Sequence, residues 1–256
     1  MKPSTMDERM RRLEYYHSIR MLPETWPIVR VDGRGFTRLT AHRFDKPYDD
    51  RFRDLMVKTA EALLRELQGL YAYTESDEVS VLLPKGWDLF DRELEKTVSL
   101  SAAIASSTFS LALGSPAQFD SRVWLGPSEQ LVVDYFRWRQ DDAARSALNG
   151  WAYWSLRKEG KSAAEATAAL HRTSVAFKNE LLFRRGINFN DLPAWQRRGV
   201  GLYWERYEKR GWDPLAKKEV VASRRRIKVD TELPMKEAYA RLISDRMSSA
   251  AAGIES

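Results

Sequence analysis

Residues 71–83 read Y-A-Y-T-E-S-D-E-V-S-V-L-L: two apolar runs around a tip that carries Glu75, Asp77 and Glu78. Short runs rich in aromatic and β-branched residues, joined by a polar turn, form a β-hairpin, here with strands over 70–74 and 78–83. A turn can use one aspartate for its own geometry. Neighbouring carboxylates, however, repel unless a cation or solvent takes up the charge. The tip is therefore either a solvated turn or part of a divalent-metal site.

Upstream of the hairpin, P-I-V-R-V-D-G-R-G-F puts Ile28, Val29 and Val31 in a short strand that ends at Asp32 and runs into a glycine-containing loop. Phe52, Leu55, Met56, Ala60, Leu63, Leu64 and Leu67 then recur at three- and four-residue spacing, which predicts a helix over 48–68. Downstream, a second helix is expected over 91–112, after P-K-G-W-D, and a strand over 121–125. The order strand, helix, strand, strand, helix, strand predicts an α+β chain. Its ferredoxin-like antiparallel sheet of four strands has two helices on one face. In that topology the first and third strands are neighbours, so Asp32 and Asp77 converge although far apart in sequence.

The rest of the chain reads as an extension. Pro127 suits the first position of a helix reaching about Leu156, and more helix is expected over 162–182. Gly160-Lys161-Ser162 lacks the earlier glycine and the preceding strand of a phosphate loop, so it reads as a helix break followed by an N-cap. Alternation over 199–229 suggests a peripheral hairpin, and the tail from Ser248 reads as frayed. The expected division is a catalytic unit over 1–135 and a helical, basic extension over 136–256.

With 256 residues, 43% of them hydrophobic, the chain can bury a substantial core. It has no cysteine, which excludes disulfides, thiolate nucleophiles and cysteine-built metal sites and favours an intracellular setting. No apolar run is long enough for a signal peptide core or a membrane span, so a cytoplasmic protein with no membrane partner is expected. Residues 1–150 carry 21 Lys+Arg against 23 Asp+Glu, and residues 151–256 carry 21 against 13. The acidic part suits metals and the basic part a polyanion. Arg184-Arg185, Arg197-Arg198, Lys217-Lys218 and the run Arg224 to Lys228 interleave with Trp195, Trp204 and Trp212, a pattern that fits phosphate contacts and base stacking.

Two aspartates at strand ends supply the hard oxygen ligands that Mg²⁺ takes. Lys46, Arg92 and Lys96 are candidates for the positive charge a triphosphate needs, although Lys96 also fits an exposed lysine paired with Glu93 or Glu95 at helical range. His17, His42 and His171 have no paired ligand spacing, and neither G-x-S-x-G nor G-x-G-x-x-G occurs.

Six blocks carry a resemblance. They are R-V-D-G-R-G-F (30–36), F-D-K-P (44–47), S-D-E (76–78), F-D-S-R-V (119–123), D-Y-F-R-W-R-Q (134–140) and K-N-E-L-L-F-R-R-G-I-N-F-N (178–190). In this order, across about residues 7–230, the chain resembles the tRNA-histidine guanylyltransferases and related 3′ to 5′ polymerases. The resemblance implies a polymerase-type palm, activation of a tRNA 5′-phosphate by ATP or GTP, and nucleotide addition at that end by a homotetramer. It implies two Mg²⁺ held by Asp32, the Gly33 carbonyl and Asp77. A nucleotide would lie among Gly33, Arg34, Gly35, Phe36, Thr37, Ser76 and Asp77, with Lys46, Arg92 and Lys96 near its phosphates. Contacts to tRNA are expected at Lys178, Asn179, Arg197, Arg198, Arg224, Arg225 and Arg226, the last three because clustered arginines on a peripheral element contact phosphates. The family's eukaryotic H-I-N-N-L-Y-N is replaced here by A-A-R-S-A-L-N-G (143–150), with Ala144 at the histidine, and Thr37 replaces a loop histidine. The first departure resembles the bacterial, archaeal and phage-type relatives that repair tRNA 5′ ends on a template. The rivals are a palm-fold nucleotide cyclase, which leaves the basic extension unexplained, and a non-catalytic RNA-binding module, which leaves Asp32 and Asp77 unexplained.

Overall fold

Alternation along the strands decides the architecture, because it gives the sheet two apolar faces. The computed structural model describes residues 5–213 and 218–251. After the short helix α1 (Met6–Arg11) come β1 (Trp26–Gly33), α2 (Phe36–Ala41), α3 (Asp50–Glu66), β2 (Tyr71–Glu75) and β3 (Glu78–Leu82). Then follow α4 (Leu94–Leu113), β4 (Phe119–Gly126), α5 (Glu129–Lys158), α6 (Ala163–Leu170), α7 (Val175–Phe183) and α8 (Ala194–Arg198). The chain closes with β5 (Val200–Asp213), β6 (Lys218–Asp230) and α9 (Lys236–Ala251). The strands form one antiparallel sheet in the order β4-β1-β3-β2-β5-β6. As expected, β1 lies beside β3, and the first four strands have the ferredoxin-like order.

Val29, Val31, Ala72, Val79, Val81 and Leu202 point to one face, where they pack with Met56, Ala60, Leu63 and Leu64 of α3 and Ala105 and Phe109 of α4. This layer is the expected pair of helices. The intervening residues, Ile28, Tyr71, Tyr73, Leu82 and Tyr203, point to the other face and are covered by Val132, Val133, Tyr135 and Phe136 of α5 and Tyr239, Ile243 and Met247 of α9. A sheet buried on both faces needs near-continuous apolar strands, and β1 and β3 supply them. Among the described residues, no helix is long and apolar enough to cross a membrane.

Several sequence expectations change in detail. The hairpin β5–β6 is not peripheral at its base: β5 pairs with β2 through Tyr71↔Tyr203 to Thr74↔Val200 and extends the sheet to six strands. The expected boundary at 135/136 falls inside the continuous α5. Pro127 precedes the helix, and Ser128 is the N-cap, accepting from Leu131 N–H. The helix expected over 162–182 is two helices. The first is opened by a capping box of Ser162 and Glu165 and ends at His171; after Arg172, in the left-handed region at φ 54°, Ser174 caps the second. The tail is helical to Ala251, and residues 252–256 lie outside the described part, as does Lys217.

Gly199 sets the entry of β5 into the sheet. It has φ +73°, and a Cβ there would lie 2.6 Å from the Tyr73 ring. Because Tyr73 is 2% exposed, the ring has no room to retreat. Gly199→Ala should therefore destabilise the fold by roughly 2 kcal/mol or more through combined backbone strain and overpacking. Chemical denaturation of both proteins measures this loss.

Candidate active site

The site forms where β1 ends beside the β2–β3 turn. The ladder sets Asp32 opposite Glu78 on one side and Asp120 on the other. The Gly33 N–H then donates to the Asp77 carbonyl at 3.0 Å, and the Arg34 N–H to the Gln118 carbonyl at 2.8 Å, so the turn after β1 is held on both sides. Gly33 is needed for close packing: a Cβ there would lie 2.4 Å from the Phe36 ring. Gly35, at φ 73°, starts α2, a helix the sequence reading took for loop. Across the ladder, Ser76 occupies the left-handed region at φ 52° and its hydroxyl donates to Asp77 Oδ1 at 3.0 Å.

The electrostatics are those of a cation-seeking corner. Burial pushes the Asp77 carboxyl above its ordinary range; the Ser76 hydroxyl opposes this, the Asp32 charge adds to it and Lys46 opposes it. Burial holds the Lys46 ammonium below its ordinary value against Asp77 and Asp49, and its Nζ donates to Thr40 Oγ1 at 2.7 Å. Glu75 is pushed up to about 7 by burial and then by the charge of Glu78. The Glu78 carboxyl is also raised by burial, against the charges of Arg139 and Arg30. The donor set of Asp32 and Asp77 fits a hard divalent cation: no cationic side chain is in ion-pair contact with either among the described residues, and Asp77 is half-buried.

Two adjoining cavities open on this corner. The larger, about 560 Å³, has Phe36, Thr37, Lys46, Ser76 and Asp77 on one wall and Tyr48, Tyr153, Trp154 and Trp195 on the other. The smaller, about 350 Å³, lies under α5 between Asp32, Glu75, Asp77 and Glu78 on one side and Arg139, Ser146 and Gly150 on the other. Of this wall the sequence reading named only Trp195, as a ring among arginines; α5 and α8 bring Tyr153, Trp154 and Trp195 from 70 or more positions downstream of the hairpin, and Tyr48 precedes α3. Arg139 escaped the sequence reading, although it sits within the quoted D-Y-F-R-W-R-Q. Its Nε and Nη2 bind both oxygens of Glu78 at 2.8 and 2.9 Å.

The structure brings together Asp32, Gly33, Phe36, Thr37, Lys46, Ser76 and Asp77, with Arg34 and Gly35 in the turn between them. It does not bring Arg92 or Lys96 to them. Arg92 lies before α4, at the opposite end of β1, in three consecutive left-handed residues, Phe90 to Arg92. Its guanidinium donates to the carbonyls of Met21, Leu22, Lys85 and Trp87 and to Thr25 Oγ1, so its donors are consumed by the fold. Lys96 pairs with Glu93 at 3.1 Å, as its helical spacing allows. Among the described residues, three His, Asp or Glu ligand atoms come within 4.8 Å of one another only at His17, Glu93 and Glu95, also at that far end. Glu93 there already faces His17 Nδ1 at 2.8 Å as well as Lys96.

The expected polyanion contacts are spread over the extension. Lys178 and Asn179 bind carbonyls of their own helix start, Arg197 binds the Leu192 carbonyl and Arg198 the Leu233 carbonyl. Arg224, Arg225 and Arg226 are exposed, but the register divides them. Tyr207↔Arg224 and Glu205↔Arg226 lie on one face of the ribbon and Arg206↔Arg225 on the other. Arg226 is paired with Glu205 at 2.6 Å, and Arg225 lies over the Trp204 ring.

Residues 7–127 match the family model described as tRNAHis guanylyltransferase, and residues 130–243 match the C-terminal domain model of the same family. The chain is 33% identical over 229 residues to the tRNA(His) guanylyltransferase of Schizosaccharomyces pombe, covering 82% of this chain and 87% of that protein. Two solved structures of a bacterial tRNA(His) guanylyltransferase-like protein, one in complex with GTP and one with ATP, superpose with TM-scores of 0.72 and 0.75 at 26% identity. Each superposition covers 95% of this chain and 99% of the other.

A carboxyl raised in the folded state favours folding at low pH and loses that contribution as pH rises through its folded value. In metal-free buffer, Glu75 should thus cost stability between about pH 4.5 and 7. Glu75→Gln should flatten that part of the curve, and melting temperatures of the two proteins across this range test it.

Proposed function

The chain belongs to the tRNAHis guanylyltransferase family, nucleotidyltransferases that add nucleotides in the 3′ to 5′ direction to the 5′ end of tRNA, and on that premise we propose template-dependent repair of tRNA 5′ ends as its work. The observation that carries this reading is the convergence of Asp32 and Asp77 where two cavities meet, beneath a helix that offers little to read a base.

In this reading Asp32, the Gly33 carbonyl and Asp77 hold two Mg²⁺. When bound, the ions would supply charge neutralisation for phosphate oxygens and a leaving pyrophosphate. The larger cavity takes ATP or GTP, with the purine against Tyr48, Trp154 and Trp195 and the phosphates toward Lys46 and Ser76. Gly33, Arg34, Gly35, Phe36 and Thr37 close the near side. The smaller cavity receives the tRNA 5′ end, where activation by ATP or GTP releases pyrophosphate and the 3′-hydroxyl of an incoming nucleotide then attacks the activated 5′-phosphate, forming the phosphodiester as the phosphoanhydride breaks and the activating nucleoside monophosphate leaves. Burial of Asp77 and the clamped turn after β1 fix the geometry of that encounter. The extension over 136–256 holds the tRNA by phosphate contacts from Lys178, Arg197, Arg198 and the arginines of the ribbon, with Asn179 beside them. A homotetramer is the proposed assembly, in keeping with the exposed Met6, Leu13, Tyr15 and Tyr16 of the N-terminal segment.

Selectivity follows from what α5 lacks. Toward the smaller cavity the segment 143–150 offers only Ser146 and Gly150; Arg145 is paired with Asp142 at 2.8 Å, and Ala143, Ala147 and Leu148 are buried. A wrong base opposite the template loses hydrogen bonds and stacking that this surface cannot restore.

Two outcomes are expected. With tRNAs lacking the first 5′ nucleotide, the base added should change with the opposing 3′-strand base through all four identities. Guanylate addition to intact tRNA-histidine regardless of template would overturn the repair reading. Asp77→Asn should lower turnover by on the order of a thousandfold while the melting temperature holds or rises, since it keeps the shape and removes a buried like charge. Near-normal addition by that variant would sink the metal assignment.

A further inference from the structure

Four carboxylates, Asp32, Glu75, Asp77 and Glu78, line this corner, and one of them, Glu78, is taken up by an arginine. Alternation along β1 and β3 points Asp32, Arg30, Glu78 and Ser80 to the face that α5 covers. Glu78 follows Asp77 directly and would be a third ligand by position alone. Instead, both of its oxygens are occupied by Arg139 at 2.8 and 2.9 Å; Ser80 Oγ donates to Oε1 at 3.3 Å and Arg30 Nε stands 3.9 Å from Oε2. The fork that binds it is itself fixed. Arg139 Nη1 meets Asp142 at 3.2 Å, its guanidinium lies over the Trp138 ring, and the side chain is 10% exposed. One pleat further along β3, Ser80 Oγ and Tyr135 OH hydrogen-bond at 2.9 Å, which locks the register of α5 on the strand.

We propose that Arg139 is a positioning residue for the cation site: by binding both oxygens of Glu78 it withdraws that carboxylate and leaves Asp32 and Asp77 as the pair that holds the metal. This rests on the metal reading of Asp32 and Asp77. A planar guanidinium can occupy both carboxylate oxygens at once, which a point charge cannot do. Freed from Arg139, Glu78 would stand directly beside Asp77 and hold the ion more tightly but in the wrong place, and it would repel incoming phosphates. Because Arg139 belongs to α5, the helix that also roofs the smaller cavity, the same contact seats that roof on the metal corner.

The test compares Arg139→Gln, Glu78→Gln and the double variant in Mn²⁺ binding, read by electron paramagnetic resonance, and in turnover. In Arg139→Gln the freed Glu78 should tighten Mn²⁺ binding about threefold or more while turnover falls about a hundredfold. Adding Glu78→Gln should return Mn²⁺ affinity to within about twofold of the parent and recover about tenfold of the lost turnover, the non-additivity of a coupled pair. Unchanged or weaker Mn²⁺ binding in Arg139→Gln, or a double variant worse than both single ones, would overturn the proposal in favour of simple helix docking. If Arg139→Gln does not fold, Arg139→Lys serves, since it keeps one contact and should shift Mn²⁺ affinity in the same direction by less; no shift there overturns it equally. Asp77→Asn run alongside separates the two readings. Retained Mn²⁺ binding and turnover in that variant defeat the metal site itself, whereas their loss with an unmoved Arg139 variant defeats only the role given to Arg139.

Discussion

The hydrogen bond from the Gly33 N–H to the Asp77 carbonyl closes the β1–β3 ladder, and the site depends on that closure. It brings the end of one strand and the tip of a hairpin within one peptide of each other, so two acidic side chains from distant parts of the chain share one corner. Like charges at such a place would ordinarily push the ends apart. Here the backbone ladder behind them, with five register pairs from Ile28↔Leu82 to Asp32↔Glu78, does not let them move. The repulsion is therefore held rather than relaxed, and it adds to the burial that pushes the Asp77 carboxyl up. A site held in that condition already favours a cation before any arrives.

The second face of the sheet explains why the chain is long. A ferredoxin-like unit with bare Ile28, Tyr71, Tyr73 and Leu82 on one face would expose a contiguous apolar surface. Helices α5 and α9 cover it, and in doing so α5 brings Arg139, Ser146, Gly150 and Trp154 over the acidic corner. Core burial and site construction are thus the same event. The basic extension is not a separate attachment, since its first strand joins the sheet edge and its longest helix forms the roof.

Much of this was legible in the sequence, and the failures have physical causes. The hairpin, the strand ending at Asp32 and the helices α3 and α4 follow from two periodicities and turn chemistry, which are local. Helix α2 was hidden because Gly33 and Gly35 signal a loop until the left-handed start at Gly35 is seen to open a helix. Helix α9 left a signal that went unread: Tyr239, Ile243 and Met247 recur every four residues and are fully or almost fully buried. Arg92 was misplaced because composition registers a positive charge but not whether its donors are already spent on carbonyls. The arginine run 224–226 reads as one block in the sequence, but a strand period of two sends its members to opposite faces. The aromatic wall of the larger cavity is a tertiary product, and no spacing in the sequence announces it.

The place of β5 in the sheet has a bearing on how the protein is made. Strand β2 has β3 on one side and, on the other, a partner that begins at Val200, about 125 residues later in the chain. During synthesis the four-stranded unit β4-β1-β3-β2 can close as soon as residue 126 has emerged, with α3 and α4 already on its face. From then until β5 arrives, the outer edge of Tyr71-Ala72-Tyr73-Thr74 has unpaired N–H and carbonyl groups and no charged side chain to guard them, the profile of an edge that recruits other chains. At ribosomal speeds of roughly 5–20 residues per second, that interval lasts on the order of ten seconds. The nascent chain is thus most exposed to misassembly midway through its synthesis, and the late strand that completes the sheet also ends the hazard.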